Sequence, residues 1–441
     1  MIENIDEKYP VTSGQTVIKK RGETYAVKDV RTGIHGEANE DLQELLLLCD
    51  GTRTVKEISE EISKGYEESQ KEVEKKVKKS IEFLEDLHFL HFADQPGYAP
   101  LIIRDTDLEW PLDAAYLEIT NKCNLKCTHC YKTAGAPLPE ELSTKEWFSI
   151  IDELEDLGIL TVAVTGGEPF MRADLFDILE YLAAHAISVN LFTNGTLITT
   201  ECIEALKELN PEKVVVSIDG ATRKTHERIR GRNTFDKTVE SIANLVKNGL
   251  HVRSNTLIYT ENIKELELLI KMLLDVGVRE MIFDRFMEAG RGVENTELIP
   301  PLEVGKVVSD ICSTFEKEAP QKIELKYTED IGEQKTPYSF CGIGTSMMTV
   351  KADGDVVLCP VLSDPEFTAG NIKDAPLREL WESTIFQPFR ECSLDDMVCH
   401  TCPHSTECRG GCKARVFQHY KTFCMPDPWM CAARGQKWPE K

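Results

Sequence analysis

Three cysteines lie within the eleven residues NKCNLKCTHCY, 121–131, at the spacing C-x3-C-x2-C: Cys123, Cys127 and Cys130. Thiolates at such a spacing hold soft metal ions or iron–sulfur clusters, and both usually take four protein ligands. Three cysteines leave one position for something else. A zinc knuckle completed by His129, or three free thiols, are the plain alternatives. A second set crowds the C-terminal end: Cys341, Cys359, then Cys399-x2-Cys402-x5-Cys408-x3-Cys412, and Cys431. C-x2-C pairs are common zinc ligands, so a two-zinc module is the competing account there. Cys392 and Cys424 lie among these, and either could replace a ligand. Cys49, Cys202 and Cys312 stand alone on apolar helical patterns, as buried inert thiols do.

The elements that must position these groups can be read from periodicity. From Ala115 the strands YLEIT, VAVT, ISVNLF, KVVVSI, HVRSNTLIY and REMIFDRF alternate with helical patterns, the first capped by Ser143 with Glu146. Six such β/α units predict an α/β fold, a partial (β/α)6 TIM barrel rather than the closed eight-unit one. Ligands in this architecture sit at the C-terminal strand ends. The cysteine loop follows the first strand, Gly166-Gly167-Glu168-Pro169 the second, Thr193-Asn194-Gly195 the third, and Ser217 with Asp219 end the fourth, so all fall on one face. The expected domains are a winged-helix-like unit over 1–95, a linker over 96–112, the barrel over 113–300, a bridging region over 301–335 and a cysteine-rich domain over 336–441. That last domain shows few apolar stripes, and metal–thiolate bonds can supply folding free energy in place of a core.

C-x3-C-x2-C-Tyr, followed one unit later by GGEP, resembles the radical S-adenosylmethionine superfamily. The resemblance implies a 4Fe-4S cluster held by Cys123, Cys127 and Cys130 through three irons. The fourth iron takes the amino and carboxylate groups of S-adenosylmethionine. One-electron cleavage then gives methionine and a 5′-deoxyadenosyl radical that abstracts hydrogen from an unactivated carbon. Contacts to this cofactor fall to Tyr131, Gly166, Gly167, Glu168, Ser217 and Arg230, with a solvated surface arginine as the alternative for Arg230. The run C-x12-G-x4-C, C-x2-C-x5-C-x3-C, C resembles the SPASM domain. Carried over, Cys341, Cys359 and Cys412 hold one auxiliary 4Fe-4S cluster and Cys399, Cys402, Cys408 and Cys431 a second, making three clusters in all. The first is one ligand short, because relatives carry a further cysteine where this chain reads EQKTPYSF, 333–340. A substrate thiolate on an open iron, or a ligand from Cys392, Cys424, a carboxylate or water, would complete it. Pro360 stands where sulfatase-maturing relatives carry an aspartate base.

Toward the N-terminus, residues 15–29 read as a hairpin about Arg21-Gly22. Helical patterns follow over 39–49, 55–64 and 70–87, and HFLHFA reads as a strand. This order resembles the peptide-recognition element of ribosomal peptide maturases. It implies that a leader peptide adds as a strand to a sheet edge, for which residues 23–29 are the expected edge. The expected function is a radical maturase that abstracts hydrogen from a precursor peptide and forms a cysteine thioether, with ferredoxin or flavodoxin as electron donor. The alternatives are action on a protein side chain or a porphyrin or other cofactor precursor, and a zinc-stabilised peptide-binding scaffold without catalysis.

Composition excludes other classes. In 441 residues, 41% hydrophobic and 29% charged are ordinary globular values. A net charge of −24 opposes binding to a phosphate backbone, so no nucleic-acid partner is expected. The chain shows no apolar run near the roughly 18 residues of a membrane span and no signal-peptide pattern, which predicts no membrane partner and a cytoplasmic location. Fifteen cysteines in a reducing compartment point to metal rather than to a disulfide framework.

Overall fold

The computed structural model describes residues 4–326 and 341–440. The chain divides into two compact units, one of residues 1–111 with 155–160 and 184–188, the other of 112–154, 161–183 and 189–441.

The first unit begins with a strand that the sequence reading passed over. β1 (Tyr9–Thr12) pairs antiparallel with β5 (Leu90–Ala93), so the expected opening hairpin is second in the chain. That hairpin is β2 (Thr16–Arg21) and β3 (Thr24–Asp29), and β4 (His35–Ala38) follows. Residues 96–112, expected as linker, supply β6 (Ile102–Ile103), which lies parallel to β2. The sheet order is β4-β3-β2-β6. Residues 23–29, expected at the edge, are therefore interior: the Asp29–Ile34 turn folds β4 back along them, and β4 takes the edge. Three helices complete the unit: α1 (Glu40–Leu48), α2 (Val55–Ile62) and α3 (Gln70–Asp86). Thr54 and Glu57 form the capping box that opens α2. Val73, Val77, Ile81 and Leu84, one face of α3, join Leu45, Leu46, Val55 and Ile58 in a common core. A smaller cluster gathers Val17, Ala26 and Val30 with Leu160 and Ala186.

In the second unit the six expected strands are β7 (Ala114–Glu118), β8 (Thr161–Thr165), β9 (Ser188–Thr193), β10 (Lys213–Ser217), β11 (Val252–Ile258) and β12 (Glu280–Arg285). They run in that order and parallel, with helices between them. Valines 214, 215 and 216 are fully buried, as strands covered on both faces require. The sheet continues beyond both ends of the barrel strands. β13 (Glu324–Lys326) lies parallel to β12, and β14 (Met347–Val350) lies parallel to β7 with antiparallel β15 (Asp355–Val357) and β16 (Thr368–Asn371) beyond it. The cysteine-rich segment thus has more core than its composition suggested, since Met348 and Val350 are wholly buried beside the barrel.

Candidate functional site

The loop after β7 is closed on itself by backbone. Cys123 N donates to Gly135 O at 2.9 Å and Gly135 N to Asn121 O at 3.0 Å. Glu141, which sequence reasoning missed, accepts from Thr120 Oγ1, Asn121 N and Leu138 N and holds the loop's entry. Arg291, also missed, holds its far side: Nε donates to Cys127 O at 2.7 Å, Nη1 to Ala134 O at 2.8 Å, and its backbone N to Cys130 O at 2.9 Å. These contacts span about 160 positions of chain, so no local pattern announces them.

Gly166 and Gly167 pack against the same loop. A Cβ on Gly166, at φ +143°, would lie 2.3 Å from Thr120 O, and one on Gly167 2.3 Å from Lys122 O. The glycines were expected to admit the cofactor; here the neighbouring loop already demands them, while both also line the cavity described below. We expect Gly166→Ala to displace the Cys123 segment and to abolish iron uptake at that site, measured as loss of 5′-deoxyadenosine formation with the fold retained by circular dichroism.

A cavity of about 320 Å³ lies over the C-terminal ends of these strands. Cys123, Cys127 and Cys130 line it, as do Tyr131, Gly166, Gly167, Thr193, Asn194, Ser217 and Arg230. So do Cys341, Cys359 and Cys412, together with Pro360. Both triads of thiols therefore face one chamber. Glu168 is the exception among the expected cofactor contacts: its buried carboxylate turns away, accepting from Thr193 Oγ1 at 2.7 Å and Asn194 N at 2.8 Å. Burial pushes its pKa up to about 7 against those donors. Its role is to fix Asn194 in the wall. Arg230 is buried and ion-paired with Asp219, which rules out the solvated surface alternative. Asp219 also accepts from Leu257 N at 2.7 Å, tying the ends of β10 and β11 together.

Cys399, Cys402, Cys408 and Cys431 lie outside the chamber wall. Burial, then Cys408, Asp427, Cys399 and Cys402, push Cys431 up to about 12, whereas Cys359 is raised by burial and then by Cys412 and Cys341. Cys392 and Cys424 are joined in a disulfide, with Cα atoms 5.9 Å apart, which corrects the expectation that either replaces a cluster ligand. The stretch before Cys341 that bears on the missing ligand, 333–340, lies outside the described residues. Cys49 and Cys312 are buried as expected, but Cys202 is only half-buried at the start of helix Thr200–Leu209.

The residues fit iron–sulfur groups. Burial pushes Cys127 up to about 11 and Cys412 up to about 12, so each stays a neutral thiol until a metal cation takes the proton's place. Thiol donors facing one chamber suit soft metal centres, not the oxygen-seeking cations. Among the described residues no three His, Cys, Asp or Glu side chains converge tightly enough to hold a single metal ion, His129 included. A cluster, with an iron for each sulfur, spreads its cysteines wider than a tetrahedral zinc with bonds of about 2.3 Å. His129 is kept neutral by burial and Arg230, its pKa held down to about 3, and its ring meets Phe286 edge-on.

The comparisons agree with this geometry. Residues 117–273 match the model of the radical SAM superfamily, and residues 341–403 match that of an iron–sulfur cluster-binding domain, SPASM. The chain belongs to the radical SAM superfamily, in the branch that carries a C-terminal SPASM domain. Within it, the chain is 31% identical over 317 residues to the mycofactocin maturase MftC of Mycobacterium tuberculosis, covering 70% of this chain and 81% of that one. It is 29% identical to the AdoMet-dependent heme synthase of Methanosarcina barkeri, over 73% of this chain and 96% of that one. Similarity to the subtilosin biosynthesis protein AlbA of Bacillus subtilis, at 26%, extends over 88% of this chain and 87% of that one. The fold is that of Streptococcus suis SuiB bound to its precursor peptide SuiA, with a TM-score of 0.67 at 15% identity over 95% of this chain and 98% of that one. The chain is thus a radical SAM enzyme, and the zinc-scaffold alternative falls. Among the described residues no helix is long and apolar enough to cross a membrane.

Proposed function

We propose that this enzyme matures a ribosomally made precursor peptide by abstracting hydrogen from one of its residues, and that the product is a cysteine thioether. The single observation that carries the reading is the shared chamber, in which Cys123, Cys127 and Cys130 face the same space as Cys341, Cys359 and Cys412. Cys123, Cys127 and Cys130 would hold the cluster that, with S-adenosylmethionine bound, would supply the reductive chemistry and hydrogen abstraction. The chain's own residues bind and orient. Asn194, fixed by Glu168, and Ser217 offer polar groups to the sulfonium compound, and Arg230 offers positive charge to its carboxylate. Tyr116, Phe192, Leu257, Met287, Met347 and Val361 give the chamber apolar walls that keep water from the reacting carbon. The second triad stands where a substrate thiolate can be held beside that carbon, with auxiliary clusters on both C-terminal sets. Pro360 lines the chamber at the place of the sulfatase-maturing base, which argues against that activity. Low-potential electrons would come from a ferredoxin or flavodoxin.

The open edge β4 supports leader docking on the first unit. Asp29 N donates to Ile34 O, and the alternation of an antiparallel ladder then turns the backbone polar groups of Glu37 outward, toward the side an added strand would take. Mass spectrometry of the reconstituted enzyme with the small peptide encoded beside its gene tests the reading. We expect a product lighter by two hydrogens, with the cysteine thiol blocked to alkylation; an unchanged peptide alongside active S-adenosylmethionine cleavage would refute it. The likeness to heme synthases favours a second reading, with a porphyrin precursor as substrate, and conversion of such a precursor under the same conditions would establish it in place of the first.

A further inference from the structure

Joining a cysteine sulfur to a carbon removes a hydrogen atom from the carbon and a proton from the sulfur. The first goes to the deoxyadenosyl radical, and the second needs an acceptor in the chamber. Among the described residues that line it, Asp284 is the single carboxylate. The lysine and arginines of the wall can only donate. His129 is the other candidate, but it sits on the first cysteine loop between Cys127 and Cys130, with its ring edge-on against Phe286.

Asp284 is the penultimate residue of β12, and its two oxygens have different surroundings. Oδ1 accepts from Arg415 Nη1 at 2.6 Å and from Arg285 N at 2.8 Å. Oδ2 has no hydrogen-bond partner among the described residues, yet it is not a buried atom. The Asp284 side chain keeps 29% of its surface exposed, whereas that of Arg415, which holds it, keeps 3%. A smaller cavity beside it is lined by Arg285, Glu288, Arg415 and Asp427 but not by Asp284. Of the two cavities, Asp284 lines the chamber alone, so Oδ2 is the acceptor that the chamber offers.

Hydrogen bonds place this oxygen on the side of the second triad. Arg415 follows Cys412 on helix Lys413–Tyr420, and its Nε donates at 2.8 Å to Asp427 Oδ2, which also accepts from Cys412 N at 3.0 Å. Arg415 therefore ties Asp284 to the backbone of Cys412 and leaves the other oxygen free.

We propose that Asp284 is the catalytic base that takes the proton from the substrate's thiol as the carbon–sulfur bond forms. The proposal rests on the thioether reading above. The hydrogen atom passes from carbon to the deoxyadenosyl radical and the thiol proton to Asp284 Oδ2. Sulfur bonds to carbon, and the electron left over reduces an oxidised auxiliary 4Fe–4S cluster.

The test is Asp284→Asn in the reconstituted holoenzyme, with the cysteine-bearing peptide encoded beside the gene. Asparagine keeps an Oδ1 for Arg415 and Arg285 N but puts a donor in place of Oδ2. Thioether formed per 5′-deoxyadenosine, read by mass spectrometry and chromatography, should fall about hundredfold, at the lower end of what general-base catalysis contributes. That deficit should narrow as the pH rises toward a thiol's ordinary value of about 8.5, where the substrate ionises unaided. Asp284→Glu, which restores an acceptor, should recover part of the yield, and iron content confirms that both variants fold. A deficit equal at every pH would make Asp284 a structural residue and overturn the proposal, as would an undiminished yield in Asp284→Asn. An unmodified peptide from the wild-type enzyme would instead overturn the thioether reading, and this assignment with it.

Discussion

We expect Cys123→Ala to abolish 5′-deoxyadenosine formation while iron bound by the C-terminal cysteines is retained. The loop that carries Cys123 is held by backbone bonds and by Glu141 and Arg291; the Cys123 sulfur accepts one weak bond, from Leu125 N at 3.4 Å, so the substitution should remove a ligand without unfolding its support. The C-terminal sets have a framework of their own. Asp427 accepts from Cys412 N and from Arg415, and helix Pro428–Ala433 carries Cys431. Total iron should fall from about twelve to about eight atoms per chain if three 4Fe-4S clusters are present. Product formation at even a few per cent of the wild-type rate, measured by chromatography under dithionite, would remove the catalytic assignment from this loop.

The second large effect concerns the edge of the first unit. Glu37→Pro deletes an N–H that points away from β3, so the ladder within the sheet keeps its bonds while an incoming strand loses one. Peptide modification should drop roughly tenfold or more, as expected for one or two main-chain bonds of about 1 kcal/mol each. Cleavage of S-adenosylmethionine in the absence of peptide should be unchanged, since every residue lining the chamber belongs to the second unit. Modification at the wild-type rate would move leader recognition elsewhere.

Much of this was legible from periodicity. Alternation of strands and helices located all six barrel strands, because parallel strands covered on both faces carry long apolar runs such as VVV at 214–216. Cysteine spacing placed Cys123, Cys127 and Cys130 on one loop, and all three line the chamber. What escaped had long-range or subtle causes. β4, HGEA, has one buried residue in four and thus little apolar signature, so β3 was mistaken for the edge. β6 is two residues long within a proline- and aspartate-rich stretch. Arg291 acts through partners far away in sequence, and nothing in the residues around it marks what it will meet. The Cys392–Cys424 bond was hidden because thirteen other cysteines offered competing explanations.

One feature of the sheet bears on how such enzymes diversify. β14 hydrogen-bonds to β7, the strand that delivers the cysteine loop, and Met347 at its start lines the chamber. The C-terminal segment is therefore no detachable cassette. A chimera that grafts another family member's tail onto this barrel would have to match the register Met347↔Ala114 through Val350↔Leu117, or tilt the first triad as it seats the second. Evolution of new chemistries on this scaffold should proceed by substitution within the joined pair, with the two halves inherited together.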